Sequence, residues 1–260
     1  MRIQGKIVLI TGASQGIGAA CGRVFEARGA KLSLLARNAQ ALALVGDETT
    51  LRTAGDVTDP EVRQRAVDAT IDRFGRIDIL INNAGAGLVL PSAEAPLADV
   101  RRMFELNLFA LLGMIQLAIP HMQRQGGGSI VNIGSMAGKV TLPWLTIYSA
   151  SKYAVGSLTD GLRMELKRDG IHAMTVCPGY VRTAFFRNVI AGAAPSSMGG
   201  DKLFSIDAET CAEAIARGVE RKARTVVTPG IGWLFVLMER IFPALVDHRL
   251  MKIYDNSRQA

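Results

Sequence analysis

The stretch Ile7-Val8-Leu9-Ile10-Thr11-Gly12-Ala13-Ser14-Gln15-Gly16-Ile17-Gly18 decides the fold. An apolar run, a glycine-rich turn and a helical period over 16–28 make the strand–turn–helix unit that holds a dinucleotide pyrophosphate. The glycines let the backbone turn sharply and come close to the diphosphate, and the helix N-terminus offers it a positive end. The spacing is Gly-x-x-x-Gly-x-Gly, not the commoner Gly-x-Gly-x-x-Gly, so the reading needs support from the rest of the chain.

That support comes from the alternation that follows. Apolar runs at Leu32–Leu35, Ile77–Ile81, Ser129–Ile133, Ala173–Cys177 and Thr225–Thr228, with a weaker one at Leu51–Ala54, read as strands. Helical-period segments at 60–73, 97–123, 147–168 and 208–221 lie between them. Several runs are apolar almost throughout, as strands covered on both faces should be. Repeated βαβ units joined by right-handed crossovers predict a parallel sheet between helices. The expected fold is α/β: a single doubly wound Rossmann domain over residues 1–230 with a parallel, seven-stranded sheet. Residues 231–260 form a helical C-terminal extension of the same domain, split by Pro243. Residues 184–206 carry Gly192, Pro195, Gly199 and Gly200 with little periodicity, and read as an irregular substrate loop.

Composition narrows the function. An apolar fraction of 49% over 260 residues supplies a full core and rules out disorder. No charge-free apolar run reaches the ~18 residues of a membrane span. Met1 leads almost at once into the first strand, and Cys21, Cys177 and Cys211 are scattered and odd in number. A reducing cytoplasm is therefore the expected location, with no disulfide framework. No metal is expected, because neither the cysteines nor His121, His172 and His248 share a ligand spacing. The net charge of +7 comes from dispersed residues, not from an arginine-rich run, so nucleic acid is not an expected partner.

The residues after the second strand bear on the cofactor. An acidic residue about 20 positions past the glycines grips the ribose 2′-hydroxyl in NAD-binding folds. Here the place reads Leu35-Ala36-Arg37-Asn38. Arg37 can instead pair with a 2′-phosphate, which predicts NADP(H). Asp56-Val57 follows the third strand, where it would meet the adenine. Asn82-Asn83-Ala84-Gly85 closes the fourth, where small residues let the backbone pass beside a cofactor.

A second constellation carries chemistry. Tyr148 and Lys152 are four residues apart, so they share one helix face, and Ser135 lies thirteen residues before Tyr148. A nearby ammonium is expected to lower the phenol's pKa, turning an inert tyrosine into a proton donor or acceptor.

Together these motifs resemble the short-chain dehydrogenase/reductase family. The matching residues are Thr11 to Gly18, Asp56-Val57, Asn82 to Gly85, Asn107, Ser135, Tyr148 to Lys152 and Pro178-Gly179-Tyr180-Val181-Arg182-Thr183. They stand in the family's order and span about residues 5–230. The resemblance implies that Tyr148 is the general acid in carbonyl reduction and the base in reverse. It implies that Lys152 tunes Tyr148 and bonds the nicotinamide ribose, that Ser135 polarises the substrate oxygen, and that Asn107 holds a relaying water. It places the cofactor against Gly12, Ser14, Gln15, Gly16, Ile17, Gly18, Arg37, Asn38, Asp56, Val57, Asn83, Ala84, Gly85, Tyr148, Lys152, Pro178, Gly179, Val181 and Thr183. Family helices corresponding to 97–123 and 147–168 pair across a two-fold axis, which implies a homodimer or homotetramer.

The residues expected around the substrate are Ala86–Leu90, Met136, Leu142-Pro143-Trp144, Tyr180 and Phe185-Phe186. They carry no cation for a carboxylate or phosphate, so the expected partner is a lipophilic ketone, aldehyde or alcohol. The leading expectation is an NADPH-dependent carbonyl reductase or alcohol dehydrogenase. A 3-oxoacyl-carrier-type ketoreductase is an alternative, weakened because the ending lacks that subgroup's aspartate-glycine-glycine signature. A non-catalytic NADP-binding sensor is a lesser one, since tyrosine and lysine are both intact. The segment 231–252, rich in large apolar residues with basic charges around it, has two outcomes. Packing over the cleft or a partner subunit is the expected one, and peripheral membrane contact is the alternative.

Overall fold

The computed structural model describes residues 1–193 and 205–258. Seven parallel strands form one sheet in the order β3-β2-β1-β4-β5-β6-β7. They are β1 (Ile7–Thr11), β2 (Lys31–Ala36), β3 (Leu51–Ala54), β4 (Ile79–Asn82), β5 (Gly128–Ile133), β6 (Ile171–Pro178) and β7 (Thr225–Thr228). The order reverses between β1 and β4, which opens a crevice at the carboxyl ends of those strands.

Side chains alternate along each strand, so the continuous apolar runs feed two separate cores. On one face Val8, Ile10, Leu32, Leu34, Val131 and Val176 meet Phe25 of α1 (Gly16–Ala27) and Ile215 of α7 (Ala208–Glu220). On the other, Leu9, Leu35, Leu80 and Ile130 pack against α3 (Pro60–Phe74), α5 (Ala110–Arg124) and α6 (Thr146–Glu165). Local sequence sets the helix ends. Asp59 caps α3 by accepting the Glu61 N–H, Pro60 stands in its first turn, and Gly75 ends it in the left-handed region at φ 74°.

Two features differ from the sequence reading. A five-residue helix, α2 (Ala39–Ala43), follows β2; Asn38 caps it by accepting the Ala41 N–H at 2.9 Å. The segment expected as one helix over 97–123 is α4 (Leu97–Phe104) and α5, joined by a π-helical turn at Glu105–Phe109. By length and composition this stretch, Leu97–Arg124, could cross a membrane. Its Met103, Met114, Ile115, Ala118 and Met122 are nevertheless buried, and the last four lie in the core beneath the sheet. The expected substrate loop is described only up to 193 and from 205; Pro195, Gly199 and Gly200 lie outside the described residues. Two further helices, α8 (Gly232–Ile241) and α9 (Pro243–Arg258), follow β7 and meet at Pro243 as anticipated.

Candidate active site

The glycine turn between β1 and α1 is pinned from the next strand over. Thr11 Oγ1 accepts the N–H groups of Asn83 and Ala84, both at 3.1 Å. Asn83 Nδ2 donates to the carbonyls of Thr11 and Gly12, both at 3.0 Å. Gly12 has φ 65°, and a Cβ there would stand 2.9 Å from Ala84 Cα. The Asn83 amide is thus spent on holding the turn. Gly18 does not line the cleft; a Cβ on it would strike the Gly12 carbonyl, so its part is close helix–strand packing.

A cleft of about 1140 Å³ runs from this turn across the strand ends to α6. Every residue expected to bind the cofactor lines it except Gly18. Such a cavity exceeds the ~300–1,000 Å³ of ordinary small-molecule sites, as an extended dinucleotide plus substrate requires. The glycine cradle, which side chains would fill, fits a pyrophosphate.

Arg37 stands exposed at the end of β2, its Nη1 3.8 Å from Asp56 Oδ2. Asp56 Oδ1 accepts from Thr58 N at 2.9 Å and from the Thr58 hydroxyl at 2.8 Å. These bonds hold the carboxylate beside the guanidinium, and Arg37 lines the cleft at the end of β2.

Ser135, Tyr148 and Lys152 come together at the other end. Ser135 follows β5 and accepts the Ala137 N–H at 3.0 Å; its side chain also hydrogen-bonds to that of Tyr148. Burial pushes the Tyr148 phenol up to about 12, and the Ser135 bond opposes this. Burial likewise lowers Lys152 to about 8, partly opposed by Cys177. Lys152 Nζ donates to the Ile133 carbonyl at 2.9 Å. The expectation that Lys152 depresses the phenol is therefore corrected. Both groups are stripped of water, and loss of solvation is the largest cause of each shift.

Asn107 lies in the π-helical turn, fully buried and outside the cleft lining. Its Oδ1 accepts the Ala86 N–H at 2.9 Å; its Nδ2 donates to the Ala86 carbonyl at 3.0 Å and to Ser151 Oγ at 3.1 Å. Ser151 Oγ in turn donates to the Tyr148 carbonyl at 2.7 Å. Asn107 thus ties the loop after β4 to the backbone of the catalytic helix, a link through Ser151 that residue spacing alone did not single out.

Beyond Tyr148 the cleft is apolar. Leu142, Trp144, Phe185, Phe186 and Val189 line it. The Phe185 ring sits 5.5 Å from that of Tyr148 and 5.3 Å, edge-on, from Phe186, which stacks on Tyr180 at 5.9 Å. Of the expected wall, Ala86–Leu90 do not reach the cleft; Leu88 and Val89 are buried in the cluster that supports it. Among the lining residues that sequence reasoning missed are Ala41, Leu106, Val189 and Leu250. Leu250 belongs to α9, 98 residues downstream of Lys152, and no sequence signal marks it.

A parallel sheet with a phosphate cradle at its switch point and a serine–tyrosine pair at the far end defines a dinucleotide-dependent oxidoreductase. The family model for short chain dehydrogenase matches residues 6–193. An 11-beta-hydroxysteroid dehydrogenase-like 2 of Arabidopsis thaliana is 33% identical over 97% of this chain and 82% of its own length. Two solved structures are similar. A short chain dehydrogenase of Burkholderia cenocepacia, in complex with NADP, has TM-score 0.82 and 28% identity, covering 96% of this chain and 99% of that one. A short chain dehydrogenase/reductase of Burkholderia phymatum, in complex with NAD, has TM-score 0.84 and 25% identity, covering 94% and 96%. The chain belongs to the short-chain dehydrogenase/reductase family, oxidoreductases of CH–OH and C=O groups that use a nicotinamide cofactor.

Proposed function

We propose that the protein is an NADPH-dependent carbonyl reductase, working in reverse as an alcohol dehydrogenase, on a lipophilic ketone, aldehyde or alcohol. The carrying observation is the Tyr148–Ser135 pair at the junction of a polar, phosphate-fitting half-cleft and an apolar, aromatic one. Bound nicotinamide supplies the hydride. A phenol held near 12 keeps its proton at neutral pH, so Tyr148 stands ready as an acid, the form that carbonyl reduction needs. Ser135 donates a second hydrogen bond to the same substrate oxygen, where negative charge develops. Lys152, anchored on the Ile133 carbonyl, would hold the cofactor's ribose through its ammonium.

Arg37 and the missing carboxylate at the end of β2 support NADP(H) over NAD(H). The aromatic wall supports a lipophilic substrate. Exposed Leu97, Phe109 and Met164 along α4–α6 support a homodimer or homotetramer. Cofactor oxidation with NADPH and with NADH, across ketones, aldehydes and hydroxy acids, tests the reading. Faster turnover of apolar carbonyls with NADPH is expected; activity confined to hydroxy acids, or to NADH, would overturn it.

A further inference from the structure

The C-terminal extension carries most of the exposed large apolar side chains among the described residues, and the oxidoreductase chemistry does not use them. Helix α8 buries one narrow side, Gly232 and Val236, against β7. The fit is close, since a Cβ on Gly232 would stand 2.7 Å from Val227 Cγ1. Its remaining surface is apolar and exposed: Trp233 48%, Leu234 54%, Phe235 52%, Leu237 52% and Ile241 56%. Phe242 and Leu245, where α9 begins, continue it. Soluble proteins seldom leave contiguous apolar patches beyond a few hundred Å² without a use.

We propose that α8 and the first turn of α9 dock the protein on the surface of a lipid bilayer with anionic headgroups. The argument against a protein partner is angular. At about 100° per residue, Trp233, Leu237, Ile241, Leu234 and Phe235 cover an arc of roughly 200°. A helix packed on protein needs an apolar stripe of about 100°. A fluid apolar phase covers a convex ridge of the wider arc, and a rigid groove does not.

Charge and length agree. From Pro229 to Val246 the charged residues are Glu239 and Arg240 alone; Asp247, His248, Arg249 and Lys252 begin one turn later. The apolar end therefore leads and the charged end stays in water. Ten residues of helix reach ~15 Å, half the ~30 Å hydrocarbon thickness, so α8 rests in the interface and does not span. Trp233, Phe235 and Leu237 are the residue types that the apolar face of an interfacial helix favours. The electrostatic attraction comes from the whole molecule's +7. It does not come from a basic rim at the patch. Arg221, Lys222 and Arg224 precede β7 while α8 follows it, so the strand holds them at its opposite end, ~13 Å away.

The docked extension also borders the cleft, through Leu250. The substrate half would then open toward the lipid phase; this consequence rests on the lipophilic-substrate reading, whereas the docking itself does not.

Full-length protein floated with vesicles of phosphatidylcholine, with and without phosphatidylglycerol, tests the proposal. The wild type should float with the anionic vesicles. Trp144→Phe leaves Trp233 as the sole tryptophan; its emission should shift to the blue and be quenched by brominated acyl chains. Trp233→Ser with Phe235→Ser and Leu237→Ser should abolish flotation while sedimentation and turnover of a water-soluble carbonyl stay unchanged. A wild type that never floats overturns the proposal, as does flotation without quenching of Trp233. A triple variant that falls from a larger to a smaller oligomer would assign the patch to a second copy of the chain instead.

Discussion

Lys152 Nζ lies over the face of the Tyr148 ring, 5.8 Å from its centre. From there it makes a cation–π contact with the phenol and hydrogen-bonds away from it, to the Ile133 carbonyl. Two buried groups four residues apart thus divide the work. Tyr148 is kept protonated by burial, and Lys152 is kept on a fixed anchor at the end of β5.

Tyr148→Phe should lower carbonyl reduction by ~10²–10⁴-fold, the usual cost of losing a positioned general acid. Cofactor affinity should change little, because the ring and its contact with Phe185 remain. Stopped-flow binding beside steady-state turnover checks both, and near-normal turnover would sink the acid assignment.

Lys152 should leave a mark on stability against pH. Burial brings it to about 8 in the native state, against the ordinary lysine value of 10.5. Below about 8 both states are charged and the native state bears a constant desolvation cost. Between these values the unfolded state binds the extra proton, so stability rises with pH there. Above 10.5 the contribution is flat. Urea unfolding of wild type and Lys152→Met at pH 7 and pH 9.5 checks this: the wild type should gain on the variant at the higher pH. A constant gap would contradict the lowered value.

The strands and the glycine turn were legible because burial on both faces writes continuous apolar runs, as in Ile7–Ile10. Tyr148, Lys152 and Ser135 were legible because helix and strand-end spacing fixes where such side chains meet. What was not legible depends on neighbours distant in sequence. Asn107 reads as a helix-interior amide until the π-helical turn presents it to Ala86 and Ser151. The direction of the Tyr148 shift depends on how completely the fold removes water, which spacing does not encode. Leu250 joins the cleft only because α9 folds back toward it.

Asn107→Ala should destabilise by about 1–3 kcal/mol, because it leaves the N–H and carbonyl of buried Ala86 without that partner. The urea midpoint should fall with an unchanged slope. Asn107→Asp should not rescue it, since a carboxylate accepts but cannot donate to the Ala86 carbonyl. An unaltered midpoint in both variants would show that the loop is held by other means.

The exposed apolar side chains of α4–α6 should be covered by a second copy of the chain. Sedimentation at micromolar concentration should show a dimer or tetramer, and Phe109→Ser with Met164→Ser should shift it toward the 27.9 kDa monomer. A wild type that sediments only as monomer would remove this expectation.

Arg37 should decide between the two cofactors. It stands at the end of β2 with no carboxylate at Ala36 to repel a 2′-phosphate, and Asp56 approaches it only to 3.8 Å, too far for a strong pair. A phosphate there can take hydrogen bonds to a charged donor worth ~1.5–3 kcal/mol, or roughly 10–150-fold in affinity. Arg37→Ala should therefore raise the KM for NADPH by about that factor and leave the KM for NADH nearly unchanged. Adding Ala36→Asp should reverse the preference, because the carboxylate repels the phosphate and accepts from the ribose hydroxyls of NADH. Turnover at saturating cofactor should hold in both variants, since the site of proton transfer lies at the other end of the cleft. Equal KM values for the two cofactors in the unmodified protein would remove Arg37 from this role.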